Sequence, residues 1–410
     1  MTRAGARRPR VPDPYGLLPD RSLWAPGLSL AGLAIVAVLT LNLLGGSVPF
    51  VGGSGNGGGG GGANRTAAPS NVVVVPQVTF PGSIVYAKAG NIWVQHGQDV
   101  HQLTTGGRDS MPSWSPDGTA VYFIRTTDAL GLWPAQGVDR HYQETVPAIM
   151  RVDASGANPP EQVMTGTINA AGGRSWFSWI RQPVLSPDGH TIAMVSDGPD
   201  PTRSDVVLQF YDLETKKRTV PAAPESAPLG HQDPAWRADG KFLLYVRNGR
   251  EGSRGAPEIF RWDVANRKAS QLTGPGYLEP SYSPDGTYIA ATRSSSFGND
   301  VVILDAAHGR ELLRVTTDGA SWAPVWSPAG DAIAFLHIEG QIVDLKLARL
   351  GGSGPDWTVT ETIDLTQVSG LDGGSRPAWY IPPDELPATP QPTVVASPIP
   401  SGTAGGEVAP

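Results

Sequence analysis

One short pattern, met in five near-complete copies, constrains this chain more than any other feature. It reads MPSWSPDGTAVYF from Met111, QPVLSPDGHTIAMVS from Gln182, DPAWRADGKFLLYV from Asp233, EPSYSPDGTYIAATR from Glu279 and APVWSPAGDAIAFL from Ala323. A sixth copy, RPAWY from Arg376, stops after its first half. The prolines that open the copies (Pro112, Pro183, Pro234, Pro280, Pro324 and Pro377) lie 71, 51, 46, 44 and 53 residues apart. A repeat of this length is one supersecondary unit that buries its apolar face only against its neighbours, and the spacing fits blades of four strands.

Each copy has a physical reading. The P-x-W segment is a short inner strand, and in S-P-D-G the proline fixes φ while the glycine supplies φ > 0, which makes a turn. The alternating apolar run that follows is the second strand of a hairpin. A third strand ends in an aspartate suited to an Asx turn, at Asp153, Asp212, Asp263 and Asp305. A fourth closes the unit, as in SQLT ending at Thr273 and LLRVT ending at Thr316.

The two ends of the repeat region complement each other. Ser83 to Thr104 reads as IVYA, NIWVQ and VHQLT, three strands without a P-x-W strand before them. Arg376 to Tyr380 supplies that strand. The expected fold is all-β: a six-bladed propeller of four-stranded blades, the last closed by one C-terminal and three N-terminal strands, which removes exposed sheet edges.

The repeated P-x-W-S-P-D-G with its I-A-F-like strand resembles the TolB-type family of β-propellers, whose repeat is related to the WD repeat. The resemblance covers Ser83 to Tyr380. It departs at Leu185 for the aromatic, at Arg237-Ala238 for Ser-Pro and at Ala329 for Asp. No α/β domain like that of TolB precedes the repeats. The resemblance implies a module that binds a protein or a polymer of the bacterial cell envelope.

Outside the repeats the composition changes. Leu23 to Leu44 is apolar, and no charge lies between Arg21 and Arg65, so residues 23–44 are read as one transmembrane helix. Arg3, Arg7, Arg8, Arg10 and Arg21 precede it, against Asp13 and Asp20, so residues 1–22 are expected to be a cytoplasmic tail. Residues 45–82, with six consecutive glycines from Gly57, read as a flexible linker. The propeller, residues 83–380, would then be extracytoplasmic on a single-pass anchor, and residues 381–410 form a Pro-rich disordered tail. A cleaved signal peptide is the competing reading of the apolar run, and it leads to the same compartment.

Chemistry is harder to find. There is no cysteine, which excludes disulfides, thiolate metal sites and a Cys nucleophile. The seven histidines form no H-E-x-x-H, and no metal or cofactor is expected. Net charge is -7, which gives no basic surface for nucleic acid. The S-P-D-G aspartates Asp117, Asp188, Asp239 and Asp285 are read as turn residues, and Trp114, Trp236, Tyr282, Trp326 and Trp379 as packing between blades.

Two sets of residues remain as candidate binding sites. The loops entering the inner strands place Arg108, Asp109, Arg181, Gln182, His231, Asp233, Glu279, Trp322 and Arg376 around the tunnel rim. Asp233 and Glu279 are either a shared cation site or solvated turn charges. The long first interval adds two loops that carry Trp133, His141 and Tyr142, and Trp176, Phe177 and Trp179, as contact aromatics or as a local cap. The leading expectation is a membrane-tethered, non-enzymatic binding module. The alternatives are a lyase or glycosidase working in the tunnel, which needs convergent carboxylates, and a structural ectodomain.

Overall fold

The computed structural model describes residues 80–197, 206–221, 229–251, 256–352 and 354–386. Among the described residues no helix is long and apolar enough to cross a membrane, and the expected span at 23–44 lies outside them.

The chain opens with β1 (Ser83–Lys88), β2 (Asn91–His96) and β3 (Asp99–Gln102). Blade 1 is β4 (Asp109–Trp114), β5 (Ala120–Ala135), β6 (Val138–Asp153) and β7 (Glu161–Thr165), after which β8 (Thr167–Ala170) and β9 (Arg174–Phe177) form a further hairpin. Blade 2 is β10 (Ile180–Leu185), β11 (Thr191–Ser196), β12 (Val207–Asp212) and β13 (Arg218–Thr219). Blade 3 is β14 (Leu229–Trp236), β15 (Phe242–Glu251), β16 (Pro257–Asp263) and β17 (Lys268–Gln271). Blade 4 is β18 (Tyr277–Tyr282), β19 (Tyr288–Ser295), β20 (Gly298–Asp305) and β21 (Glu311–Arg314). Blade 5 is β22 (Ser321–Trp326), β23 (Ala332–Glu339), β24 (Ile342–Gly351) and β25 (Thr358–Asp364). The last strand, β26 (Ala378–Tyr380), pairs antiparallel with β1, so blade 6 has the order β26-β1-β2-β3. The ring is a six-bladed propeller, closed as the sequence requires.

The turns obey the chemistry expected of them. The carboxylate of Asp117 accepts from the backbone N–H of Thr119 and the hydroxyl of Ser115, and Asp188 does the same with His190 and Ser186. Where Ala329 stands in the fifth copy, Ser327 turns to Asp331 instead, at 3.0 Å. A threonine after the fourth strand recurs as well. Thr104, Thr273, Thr316 and Thr366 each accept, through Oγ1, the N–H of a residue on the third strand: Ile92, Ile259, Val301 and Leu345. That satisfies a donor that the short fourth strand leaves unpaired.

The core is six clusters, each drawn from two consecutive blades. Phe123 sits at the 6–1 junction and Phe335 at the 4–5 junction, each without appreciable exposure. Burial of one such side chain stabilises by about 1.5–3 kcal/mol. The repeat aromatics lie in or beside these junctions, as their recurrence suggested: Trp236 stacks on Phe210 of blade 2, and Trp326 on Tyr288 of blade 4.

The connections sort onto two ends. The S-P-D-G turns and the turns after the third strands lie at one end. The second-to-third hairpins and the links between blades lie at the other, as the pairing of Asp109 with Arg125 at the start of β4 shows. Both chain ends meet at the S-P-D-G end, where the N–H of Gly82 donates to the Glu385 carboxylate at 2.8 Å and Phe80 packs edge-on against Trp379. Packing thus reaches past Ser83 and Tyr380 at both ends of the propeller.

Candidate functional site

The residue before each repeat proline is the key to the axis. Met111, Gln182, Asp233, Glu279 and Ala323 all have φ of 53–54°. In all five blades the pairing of the inner strand shifts register at this point. A left-handed L-residue costs about 1–2 kcal/mol, so five such bulges must be held by something.

They hold one another. The N–H of Gln182 donates to Met111 Sδ at 3.3 Å, that of Asp233 to Gln182 Oε1 at 2.8 Å, that of Glu279 to Asp233 Oδ2 at 3.2 Å, and that of Ala323 to Glu279 Oε2 at 2.8 Å. Ser375 of the closing segment accepts from the N–H of Met111 at 2.5 Å. Each bulge thus presents its amide to the previous blade and its side chain to the next. The belt breaks only after Ala323, whose methyl accepts nothing.

Beyond that break stands Arg376. Its guanidinium crosses from blade 6 and donates to the carbonyls of Pro280 at 2.8 Å and Pro234 at 3.1 Å. Asp233 and Glu279 face it. Burial raises the Asp233 carboxyl above its usual range, against the pull of Arg376. Burial first, and the neighbouring Asp233 second, push Glu279 up to about 7. The space left between Met111, Gln182, Asp233 and Arg376 is about 30 Å³, room for roughly one water.

Asp233 is buried and Glu279 half-buried, and both are tied into the axial belt by backbone amides. Asp233 and Glu279 stand 46 residues apart in the sequence, and only the ring brings them to one axis. Among the described residues no group of three or more His, Cys, Asp or Glu side chains is placed to hold a metal ion.

The other rim candidates divide. Arg181 is exposed at the tunnel mouth, and Arg108 is exposed and paired with Asp128 at 2.5 Å. Asp109 is buried, in a two-pronged ion pair with Arg125 at 2.6 and 2.8 Å. His231 is no rim residue either: it is buried, its Nδ1 accepts the N–H of Leu208, and its ring lies 4.8 Å from that of Tyr245. Trp322 is half-buried and donates to the carbonyl of Gly373 at 2.9 Å.

The two extra stretches of blade 1 are strands, not loops. β5 and β6 run on together for sixteen residues each, to a turn at Gln136-Gly137, and β9 joins the outer part of β5 through Leu132 and Ser175. Alternation along TTDALGLW and RHYQET lets one face of this projecting sheet close on itself. Trp176 lies at its centre, 6% exposed, with Trp133 at 5.9 Å, Tyr142 edge-on at 5.4 Å and Phe177 stacked at 5.8 Å. Trp176 is thus core, while Trp179 is exposed beside Phe177.

Several residues escaped the sequence reading. Met111, Ala323 and Ser375 complete the axial belt, and the place before each repeat proline was the visible signal for the first two. Asp197 was not signalled at all. Buried beneath Trp179, it accepts that residue's N–H and the Ser178 hydroxyl, both at 2.8 Å, and burial pushes its carboxyl up to about 6.

No protein-family model matches the chain. An uncharacterized protein of Agrobacterium fabrum is 26% identical over 239 residues, 57% of this chain and 67% of its own length. A TolB homolog of Chlorobaculum tepidum is 33% identical over 117 residues, 28% of this chain and 26% of that protein. The crystal structure of TolB from Acinetobacter baumannii superposes with a TM-score of 0.50 at 20% identity, over 73% of this chain and 66% of its own. The chain thus spans about a quarter of the Chlorobaculum protein and just under two thirds of the Acinetobacter one. The fold shared with the Acinetobacter structure is a β-propeller.

Proposed function

We propose that this chain is a membrane-tethered, extracytoplasmic interaction module that binds a partner protein without catalysing a reaction. The observation that carries the reading is where exposed apolar side chains collect. Phe297 (92% exposed), Leu130 (69%), Val138, Trp179, Ile342 and Val368 lie on second-to-third hairpins or blade links, at the end opposite the S-P-D-G turns, whereas Val100, Val264 and Leu386 are exposed elsewhere and less so than Phe297 or Leu130. A clustering of large apolar groups at one end of a rigid scaffold is what protein recognition uses. The likeness to TolB-type propellers supports the same reading. Catalysis in the tunnel is disfavoured because Asp233 and Glu279 are tied to backbone amides and faced by Arg376.

The tether rests on the apolar run at 23–44 and the arginines before it. Photo-crosslinking in the native membrane tests the binding face. Benzoylphenylalanine at Phe297 or Trp179 should give discrete protein adducts, and the same probe at Val264, exposed at the opposite end, should not. Equal labelling from both ends, or none, would sink the reading. Proteinase added to intact spheroplasts should release the propeller, and full protection would overturn the extracytoplasmic placement.

A further inference from the structure

At the S-P-D-G end the junctions between blades are filled in different ways. At 6–1, the Tyr380 ring lies against Gly118, so close that an added Cβ would meet it at 2.0 Å. At 4–5, Trp326 stacks on Tyr288, and Gly330 sits over Pro284. At 3–4 the filler is an arginine. Arg237 lies 4.3 Å over the Phe242 ring, pairs with its own turn's Asp239 at 2.6 and 2.8 Å, and packs on Gly286 of the next turn. Behind it, Arg261 ties the junction by donating to the Ala306 carbonyl of blade 4 at 3.2 Å.

The 1–2 junction has the same frame without the filling. Ser115 stands where Arg237 stands, Ala120 where Phe242 stands, and Leu185 where the other copies carry an aromatic. Among the described residues nothing lies within 4 Å of a Cβ placed on Gly189, the counterpart of Gly286. Arg151, the counterpart of Arg261, turns back to Asp153 and Glu161 of its own blade at 3.3 and 3.1 Å. What remains is a groove of about 460 Å³, floored by Ala120, Tyr122 and Leu185 and flanked by the two S-P-D-G turns.

The charge of the groove narrows what fits. Asp117 and Asp188 stand at its mouth, both held below the usual carboxylate range, first by the hydroxyls of Ser115 and Ser186. The one guanidinium inside, Arg151, already has two acidic partners. A cation is favoured over an anion, and the precedent in this molecule is a planar one. We propose that the groove is a binding site for an arginine side chain of a partner polypeptide. That side chain takes the place Arg237 holds two blades further round: its guanidinium on Asp117, its stem over Ala120 and Tyr122. The site lies at the opposite end from the apolar loops and does not depend on them.

Saturation-transfer NMR of the peptide Ac-Gly-Arg-Gly-NH2 with the detergent-solubilised full chain tests this. The arginine peptide should bind saturably, and its citrulline analogue, which keeps the shape and loses the charge, should bind at least about tenfold more weakly. Ser115→Arg with Ala120→Phe installs the filling of the 3–4 junction, and Leu185→Trp restores the aromatic of the repeat. Each should abolish binding while the protein still melts cooperatively. The proposal falls if no saturable binding is seen, if citrulline binds equally, if the lysine or tryptophan peptide binds more tightly, or if either filled variant binds as the natural chain does.

Discussion

The Tyr380 hydroxyl donates to the backbone carbonyl of Asp117 at 3.0 Å, a bond between residues 263 positions apart. With it the last strand holds the first S-P-D-G turn, while the Trp114 indole donates back to Ala378 at 3.2 Å. Ending the chain at Leu371 removes β26, Arg376 and the Ser375 acceptor of the axial belt together. Such a chain should lose its cooperative thermal transition by circular dichroism, whereas Tyr380→Phe should cost only about 1 kcal/mol. A sharp transition of unchanged midpoint in the shortened chain would refute the closure.

Trp176 and Trp179 are three residues apart and should behave in opposite ways. Trp176→Ala opens the centre of the projecting sheet and should cost about 3 kcal/mol, read as early loss of protection of the β5–β6 hairpin in hydrogen exchange. Trp179→Ala should change stability by less than about 0.5 kcal/mol and weaken partner capture by about 2 kcal/mol. The reverse pattern would mean that Trp176 is the contact residue after all.

The half-buried Glu279 makes stability depend on pH in a stated direction. Its carboxyl titrates at about 7 in the fold against an ordinary 4.5, so between those values the folded chain holds a proton that the unfolded chain has lost. The stability this contributes is fully present below about pH 4.5 and is lost as pH rises through 7. Glu279→Gln should therefore raise the melting temperature at pH 8, by on the order of 2 kcal/mol of stability, and leave it nearly unchanged at pH 5. An equal offset at both pH values would show that the effect is packing and not ionisation.

The recurring threonines can be weighed one at a time. Thr273→Val keeps the shape and removes the acceptor for the buried N–H of Ile259, 3.0 Å away. The expected loss is about 1–2 kcal/mol by urea denaturation, and no loss would mean that the amide finds another acceptor.

Much of the ring was legible in the sequence because its signals are local. S-P-D-G makes its turn within five residues, and the missing strand before Ile84 could be matched to the spare strand at Trp379 by arithmetic. The axis was not legible. Asp233 and Glu279 look like loop charges because the partners that bury them, Gln182, Thr292, Ala323 and Arg376, come from four other places in the chain. The choice between contact and cap at Trp176 was not legible for a similar reason: the rings that cover it, Trp133 and Tyr142, lie on another hairpin, and no local pattern records which face that hairpin turns inward.

The meeting of Gly82 with Glu385 also puts both edges of the described region at one pole of the ring. If the chain is anchored ahead of Phe80, as proposed, the anchor grips the ring from the S-P-D-G end. Phe297, Leu130 and Trp179 are then held at the far pole, outward from the bilayer and toward whatever else the compartment contains. On that mounting the proposed arginine groove looks the other way, toward a neighbour anchored in the same membrane.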